Sequence, residues 1–214
     1  MKNTIILLSL IALFACSKKE AKETTQLEEK VEPVAQNCIY SYSDSLTSFE
    51  WKAYKTNEKI GVGGTFDEIT VSSNSSNSIK AVLESISFEI DTESVNSAND
   101  DRDGKIFNFF FKKMVGTDII SGKVKSIEGD DALGSATFEI TMNETTQDVN
   151  LTYTTTDGII NFSGVFNLDM FNGQDAVAAL NKKCEALHTG ADGVSVLWPQ
   201  VSLSISTQIL ANCN

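Results

Sequence analysis

The chain has 214 residues and is acidic, with 29 Asp and Glu residues against 17 Lys and Arg residues and a formal net charge of −12. This charge argues against nucleic-acid binding, which needs a basic face, and against general adhesion to anionic lipid surfaces. A single histidine and the absence of CxxC or HExxH spacing argue against a zinc site.

The N-terminus is predicted to be a secretory signal followed by a lipid attachment site. Lys2 opens a basic region, and residues 5–13 form an apolar run that is too short to cross about 30 Å of hydrocarbon as a helix. Residues 13–16, "LFAC", resemble a bacterial lipobox, in which the cysteine carries the lipid after cleavage. We therefore predict a lipoprotein signal peptide over residues 1–15 and a lipid anchor at Cys16. The alternative is an ordinary signal peptide cut nearby.

The segment that follows is predicted to be a lipidated, disordered tether over residues 16–37. It is rich in Lys, Glu and Thr and has little apolar surface to bury, so it cannot offset the entropy of ordering. As a flexible coil it would hold the next domain about 25 Å from the membrane. This predicts a bacterial cell-envelope protein attached through its N-terminal acyl chains, with the domain in the periplasm or at the cell surface.

Residues 38–214 are predicted to form one domain made mainly of β-strands. Apolar and polar residues alternate there, as in strands with one buried face. The eight alternating runs cover residues 49–53, 60–66, 86–90, 120–124, 136–142, 149–153, 160–168 and 201–209. Hairpin turns are predicted at Gly129-Asp130-Asp131 and at Asp157-Gly158.

Residues 173–190 break the alternation and predict a helix before the last strand. Their apolar residues are spaced as on one helical face, and Gly190 is placed to end the helix. The apolar residues are Val177, Leu180, Cys184 and Leu187. Eight antiparallel strands and one helix predict an all-β fold, an eight-stranded barrel closed on itself. Such a barrel is either filled by side chains or holds one small apolar ligand.

The stretch "DDRDGKIFNFFF", residues 100–111, allows three interpretations: a calcium loop, a core turn, or the lip of a cavity. Four residues match the first half of a calcium loop: Asn99, Asp101, Asp103 and Gly104. The position of the bidentate glutamate is occupied by Phe110, which argues against calcium. From the residues alone, a loop tied down by Arg102, with the phenylalanines as plain core, is favoured over a cavity lip.

Three stretches carry a family pattern. "FEWKAYKTNEKIGVGGTF" (49–66) forms a possible opening hairpin, and "GSATFEITMNETTQDVNLTY" (134–153) a central one. Between them, "SFEIDTESVNSANDDRDGKIFNFFF" (87–111) has a "DT.S" step, an Arg-Asp pair and a double phenylalanine. Over most of residues 46–210 the chain resembles the YceI-like lipid/polyisoprenoid-binding family.

The resemblance implies a lipocalin-like barrel that holds a long isoprenoid chain in an apolar tunnel. Arg102 and Asp103 match the family's Arg-Asp pair, and residues 109–111 cover its double phenylalanine, so the cavity lip is now favoured over the plain core. The implied ligand contacts are Trp51, Phe66, Phe88, Arg102, Asp103, Phe109, Phe110, Phe111, Phe138, Phe162 and Phe166. A short helical turn is predicted after the Arg-Asp loop.

Two departures from the family pattern concern histidines. Lys105 stands where the family usually has a histidine, and Lys55 and Lys59 lie near the positions of histidines in its first hairpin. Head-group contacts made by those histidines are therefore not carried over to this chain.

The cysteines predict one disulfide. With Cys16 lipidated, three thiols remain, and Cys184 lies on the apolar helix face, where cysteine serves as a small hydrophobe. The first and last strands of an even-stranded meander are antiparallel neighbours, which brings Cys38 towards Cys213. We predict that these two are bonded.

The predicted function is that of a membrane-anchored protein that sequesters or carries a polyisoprenoid or a similar long-chain lipid, without catalysis, cofactor or metal. One alternative is a filled barrel whose loops bind another envelope protein. A weaker alternative is a hydrolase that uses Asp100 and Asp101. His188 is interpreted as a polar residue at the helix end, because no GxSxG motif accompanies it.

Overall fold

The computed structural model describes residues 37–214, and the predicted signal peptide, Cys16 and almost all of the tether lie outside the described residues. The strands are β1 (Cys38–Ser41), β2 (Thr47–Lys55), β3 (Ile60–Phe66), β4 (Ile69–Ser72), β5 (Ser87–Asp91), β6 (Val95–Asn96), β7 (Ile119–Gly129), β8 (Leu133–Met142), β9 (Thr145–Thr156), β10 (Ile159–Asn167), β11 (Leu197–Gln208) and β12 (Leu210–Cys213). The helices are α1 (Ile79–Glu84), α2 (Asp100–Phe109), α3 (Gln174–Lys183) and α4 (Glu185–His188). None of these helices is long and apolar enough to span a membrane.

Ten strands form one curled antiparallel sheet in the order β4-β5-β7-β8-β9-β10-β11-β2-β3-β6. The two ends of this order meet, because β3 continues into β4 after two residues and β5 continues into β6 through a 3-10 turn, Thr92–Ser94. At these bends the Asp67 N–H donates to the Ser94 carbonyl (2.9 Å), and the Asp91 N–H donates to the Glu68 carbonyl (3.1 Å). The sheet therefore closes on itself.

All eight predicted strands are present, as β2, β3, β5, β7, β8, β9, β10 and β11. The lipocalin-like barrel is confirmed, although its sheet has ten strands instead of eight. The additional strands β4 and β6 continue β3 and β5 beyond polar bends, which interrupt the alternation that marks a strand in the sequence. Strands β1 and β12 pair with each other in a separate two-stranded ribbon.

The predicted hairpin turns are confirmed. Asp157 and Gly158 both have positive φ, 53° and 78°, and join β9 to β10 with the two-residue geometry that suits twisted strands. Gly129 has φ 118°, a conformation that only glycine adopts readily, at the start of the turn into β8.

The charged segment that was predicted to be a loop is instead the helix α2. The prediction of an Arg-Asp loop is therefore wrong. The Asn99 side chain accepts a hydrogen bond from the Arg102 N–H (2.9 Å) and caps the helix, and three aspartates lie in its first turn. Such caps and charges stabilise helix N-termini, and together they outweigh the cost of about 1 kcal/mol for Gly104 inside the helix. The helical turn expected after this segment is present as the 3-10 turn Phe111–Lys113.

The helix predicted before the last strand is divided into α3 and α4 at Cys184. Leu180 and Cys184 are buried as expected, but Leu187, which lies beyond the break, is 58% exposed. Helix α1 was not predicted. It is only six residues long and begins where the Ser78 side chain accepts from the Ala81 N–H (3.4 Å).

The ribbon of β1 and β12 carries the predicted disulfide. Cys38 lies opposite Cys213 in the strand register, and the two sulfur atoms are bonded. Cys184 is a free, buried thiol.

Candidate functional site

One wall of the barrel is tightly packed. The inward side chains of β7 to β10 that form this packed wall are each at most 9% exposed: Val124, Ile127, Ala136, Phe138, Ile140, Met142, Val149, Leu151, Tyr153, Ile160 and Phe162. Phe162 packs edge-on against Phe138 (ring centroids 5.9 Å apart) and against Tyr153 (5.6 Å). This half of the barrel resembles an ordinary core.

The opposite wall is open. Its inward side chains are only half-buried, although their strands point them into the barrel: Phe49 and Trp51 on β2, Ile69 on β4, Phe88 on β5, and Val201, Leu203 and Ile205 on β11. These residues of the open wall line a cavity of about 940 Å³. Because inward and outward residues alternate along a strand, their exposed area faces this cavity.

The cavity runs along strand β2. Thr47 and Lys55, the first and last residues of β2, both line it. Eight residue steps of about 3.3 Å separate them, so the cavity extends up to about 26 Å. Its volume lies near the upper end of the range of roughly 300–1,000 Å³ that is typical of small-molecule sites. The barrel is therefore not filled, contrary to the alternative of a filled interaction module.

Two glycines make room for the large rings of the open wall. A Cβ atom at Gly64 would lie 2.6 Å from Cζ2 of Trp51, and one at Gly122 would overlap the ring of Phe88. The Trp51 ring is also held by its Nε1–H, which donates to the Thr65 carbonyl (3.0 Å). The rings can therefore lie against the wall and leave the centre of the barrel open.

Most of the predicted ligand contacts line the cavity: Trp51, Phe66, Phe88, Arg102, Phe110, Phe111, Phe138, Phe162 and Phe166. Two do not, Asp103 and Phe109. The Phe109 ring instead lies beneath the ammonium group of Lys183, 4.7 Å from the ring centroid.

The phenylalanines after α2 close one end of the cavity. Phe110 and Phe111 are buried, pack edge-on (5.0 Å) and also line the cavity. The Phe111 ring also packs against Phe66 (ring centroids 5.9 Å apart), and Phe66 packs against Phe49 on β2 (6.1 Å). This arrangement agrees with the cavity lip.

The Arg-Asp pair fixes α2 over this end. Arg102 Nε donates to Ser97 Oγ (2.7 Å), and its Nη2 donates to the Ser97 carbonyl (2.6 Å). Asp103 accepts from the Ser97 N–H (2.9 Å) and from the Ser97 hydroxyl. Asn99 and Asp103, two of the candidate calcium ligands, are thus used to hold the helix. In residues 37–214 no three His, Cys, Asp or Glu side chains are grouped closely enough to hold a metal ion.

Sequence reasoning missed three polar side chains at the same end of the cavity. Lys55 at the end of β2, Lys105 in α2 and His188 in α4 all line it. The only signal in the sequence was that the two lysines stand at or near positions where the family usually has histidines. His188 is buried, and its Nδ1 is hydrogen-bonded to Oδ1 of Asn181 (2.9 Å), not to a carboxylate.

A family model, the YceI-like domain, matches residues 40–208. The chain belongs to the YceI-like family. Comparison with curated proteins gives no significant match.

Two solved structures resemble this YceI-like domain in fold. One is a polyisoprenoid-binding domain from Saccharophagus degradans implicated in plant cell wall breakdown, with 12% identity and a TM-score of 0.57 over 81% of this chain and 98% of that one. The other is BcnA of Burkholderia cenocepacia, with 12% identity and a TM-score of 0.55 over 79% and 99%. At such low identity these likenesses describe the fold alone.

The single histidine of this YceI-like domain should make its stability depend on pH. Burial, together with the nearby charge of Lys55, lowers the pKa of His188. The folded chain then binds fewer protons than the unfolded chain just below pH 6.5, so stability is expected to fall as the pH decreases from 7 towards 5.5, by at most about 1.4 kcal/mol per pH unit. Denaturant unfolding over this range tests the expectation. His188→Gln should flatten the profile, and an equal slope in the variant would contradict it.

Proposed function

We propose that this YceI-like domain binds a polyisoprenoid or a similar long-chain lipid inside its barrel, in order to sequester or carry it. The observation that supports this most directly is the open wall, with an apolar cavity of about 940 Å³ that follows the whole of β2. The Saccharophagus degradans domain, whose fold is similar, is described as polyisoprenoid-binding.

Burial of the lipid tail would supply the affinity. Each 100 Å² of apolar surface removed from water contributes about 2.5 kcal/mol. A cavity that is already open needs little rearrangement before it accepts a chain, which lowers the cost of binding. No cofactor is needed for this role.

The hydrolase alternative receives no support from the geometry of its two carboxylates. Asp101 forms an ion pair with Lys105, and Asp100 is exposed in the first turn of α2. Both positions favour the helix N-terminus electrostatically. We therefore propose a binding role and not a catalytic one.

Lipid content and a blocked cavity test the proposal together. Leu203 points into the cavity, and a tryptophan there would fill open space, whereas the next residue, Ser204, is exposed. We expect purified wild-type protein to carry a long-chain lipid in native mass spectrometry. Leu203→Trp should lose at least about tenfold in affinity for geranylgeraniol, and Ser204→Trp should behave as the wild type. An empty wild-type protein without saturable binding would refute lipid binding.

We further propose that the domain is anchored to a bacterial envelope membrane through acyl chains on Cys16. Stable attachment usually requires acyl chains plus a second signal or a second chain, and a net charge of −12 offers no basic patch. Cys16→Ala should therefore yield a soluble product or an unprocessed precursor in cell fractionation. A processed variant that stays in the membrane fraction would show that Cys16 is not the attachment point.

A further inference from the structure

The cavity changes character at the end covered by α2 and α4. The lining along the strands is mostly apolar, with three carboxylates: Asp44 before β2, Glu50 within β2 and Asp67 after β3. The end of β2 and helix α2 instead contribute three cationic side chains, Lys55, Arg102 and Lys105, and one carboxylate, Asp101. A local excess of positive charge is unexpected in a chain with a formal net charge of −12. The three cations are not equivalent, because they differ in what already pairs with them.

Arg102 is engaged with the protein itself. Its Nε and Nη2 donate to the hydroxyl and carbonyl oxygens of Ser97 at 2.7 and 2.6 Å. The guanidinium group therefore ties α2 to the residue that follows β6, and Arg102 serves as a positioning residue for this end of the cavity.

Lys55 has spare hydrogen-bonding capacity. Its Nζ donates to the Leu187 carbonyl (2.9 Å), which uses one of the three N–H donors of an ammonium group. Among the described residues, no carboxylate lies within 4.0 Å of this nitrogen. A half-buried cation without a counter-ion is unfavourable, and an anion in the cavity would remove that cost.

Lys105 is held in its charged form. Its Nζ pairs with Asp101, and this hydrogen bond is the main reason that the pKa of Lys105 is raised. The Lys105 side chain is 23% exposed and lines the cavity, whereas that of Asp101 is 80% exposed. The carboxylate is thus well solvated, and the ammonium group has two further donors.

Lys55 and Lys105 come from different elements, β2 and α2, and both line the cavity. Cys184, between α3 and α4, lines the cavity beside them. Burial raises the pKa of its thiol, and the charges of Lys105, Lys183 and Lys55 act against this increase. Lys183 itself lies over the Phe109 ring and does not line the cavity.

We propose that Lys55 and Lys105 form a site for an anionic head group, a phosphate ester or a carboxylate, of a lipid whose tail runs along β2 towards Thr47. This inference rests on the proposed lipid binding and specifies the class and orientation of the ligand. Ammonium groups make short, charge-assisted hydrogen bonds to such oxygens. The tail then fills the apolar part of the cavity.

Three probes with the same C20 tail test this site: geranylgeraniol, geranylgeranoic acid and geranylgeranyl diphosphate. Both tryptophans of the chain, Trp51 and Trp198, line the cavity, so quenching of intrinsic fluorescence reports binding. We expect the wild-type protein to bind at least one anion about tenfold or more tightly than the alcohol. This advantage should shrink as salt is added.

Charge-removing variants locate the effect. Lys55→Gln and Lys105→Gln should each reduce the preference for the anion, and the double variant should abolish it, so that the alcohol and the anions bind with similar affinity. Lys125→Gln is the matched control, because Lys125 is exposed and pairs with Asp148 (2.7 Å) away from the cavity. It should keep the full preference.

The outcomes separate this inference from the proposed function. If the wild type binds the alcohol and the anions equally, or if the double variant keeps the preference, the head-group site is wrong while lipid binding stands. If no probe binds, the proposed function itself fails. A preference for the diphosphate over the acid, or the reverse, identifies the anion and supports the site in either case.

Discussion

Replacing Cys38 with serine is expected to lower the free energy of unfolding by about 2–5 kcal/mol under oxidising conditions. The Cys38–Cys213 disulfide spans 175 residues, almost the whole described domain. Opening so long a loop restores a large amount of conformational freedom to the unfolded chain, which is the main source of stabilisation by a disulfide. Denaturant unfolding of wild type and variant measures the difference.

Two controls accompany this measurement. Cys184→Ser changes a buried free thiol and should behave as a mild core substitution. Reduced wild-type protein should unfold like Cys38→Ser, because both lack the same bond. If reduction left the stability of the wild type unchanged, the disulfide would have no stabilising role.

Phe171→Ala is expected to cost about 3–5 kcal/mol, because it leaves a void in a closed core. The Phe171 side chain is fully buried, packs edge-on against Phe166 (5.9 Å) and does not line the cavity. Phe49→Ala, in the open wall, should cost less than about 2 kcal/mol, since part of that ring is already exposed to the cavity. Chemical denaturation of the lipid-free protein compares the two.

Ligand binding should also differ between these two variants. Phe49→Ala should weaken binding of geranylgeraniol through lost contact area, because Phe49 lines the cavity. Phe171→Ala, measured where it remains folded, should bind like the wild type. Equal losses of stability at the two positions would contradict the division of the barrel into a packed wall and an open wall.

The barrel was predictable because strand alternation is a local pattern. Apolar and polar residues alternate without interruption in residues 136–142, which predicts a strand. Asp157-Gly158 predicts a tight turn, so the strands on either side of it are predicted to pair. Closure followed from the need to remove strand edges. Closure pairs β2 with β11 and so brings the segments before β2 and after β11 near each other, where Cys38 and Cys213 are bonded.

The cavity was not predictable from the same pattern. Phe138 and Phe88 are both inward phenylalanines in alternating runs, yet Phe138 lies in the packed wall and Phe88 in the open wall. The alternation of apolar and polar residues shows which face of the sheet a side chain lies on. It does not show how far that side chain is from the opposite wall of the barrel. Helix α2 was missed for a different reason: Gly104 and the aspartates suggested a loop, while the decisive signal was the cap at Asn99.

The pairing of β2 with β11 has a consequence for the order of folding. This seam joins the first and last long strands of the barrel, and its contacts, such as the hydrogen bond between the Thr47 and Thr207 hydroxyls (2.7 Å), connect residues 160 apart in the chain. Contacts at such separation are expected to form after the hairpins between adjacent strands, because closing a long loop costs more conformational entropy than closing a short one. Until residues 197–208 arrive, β2 and β10 each present an unpaired edge that can capture another chain. A chain truncated before Leu197 would therefore aggregate rather than form a smaller barrel.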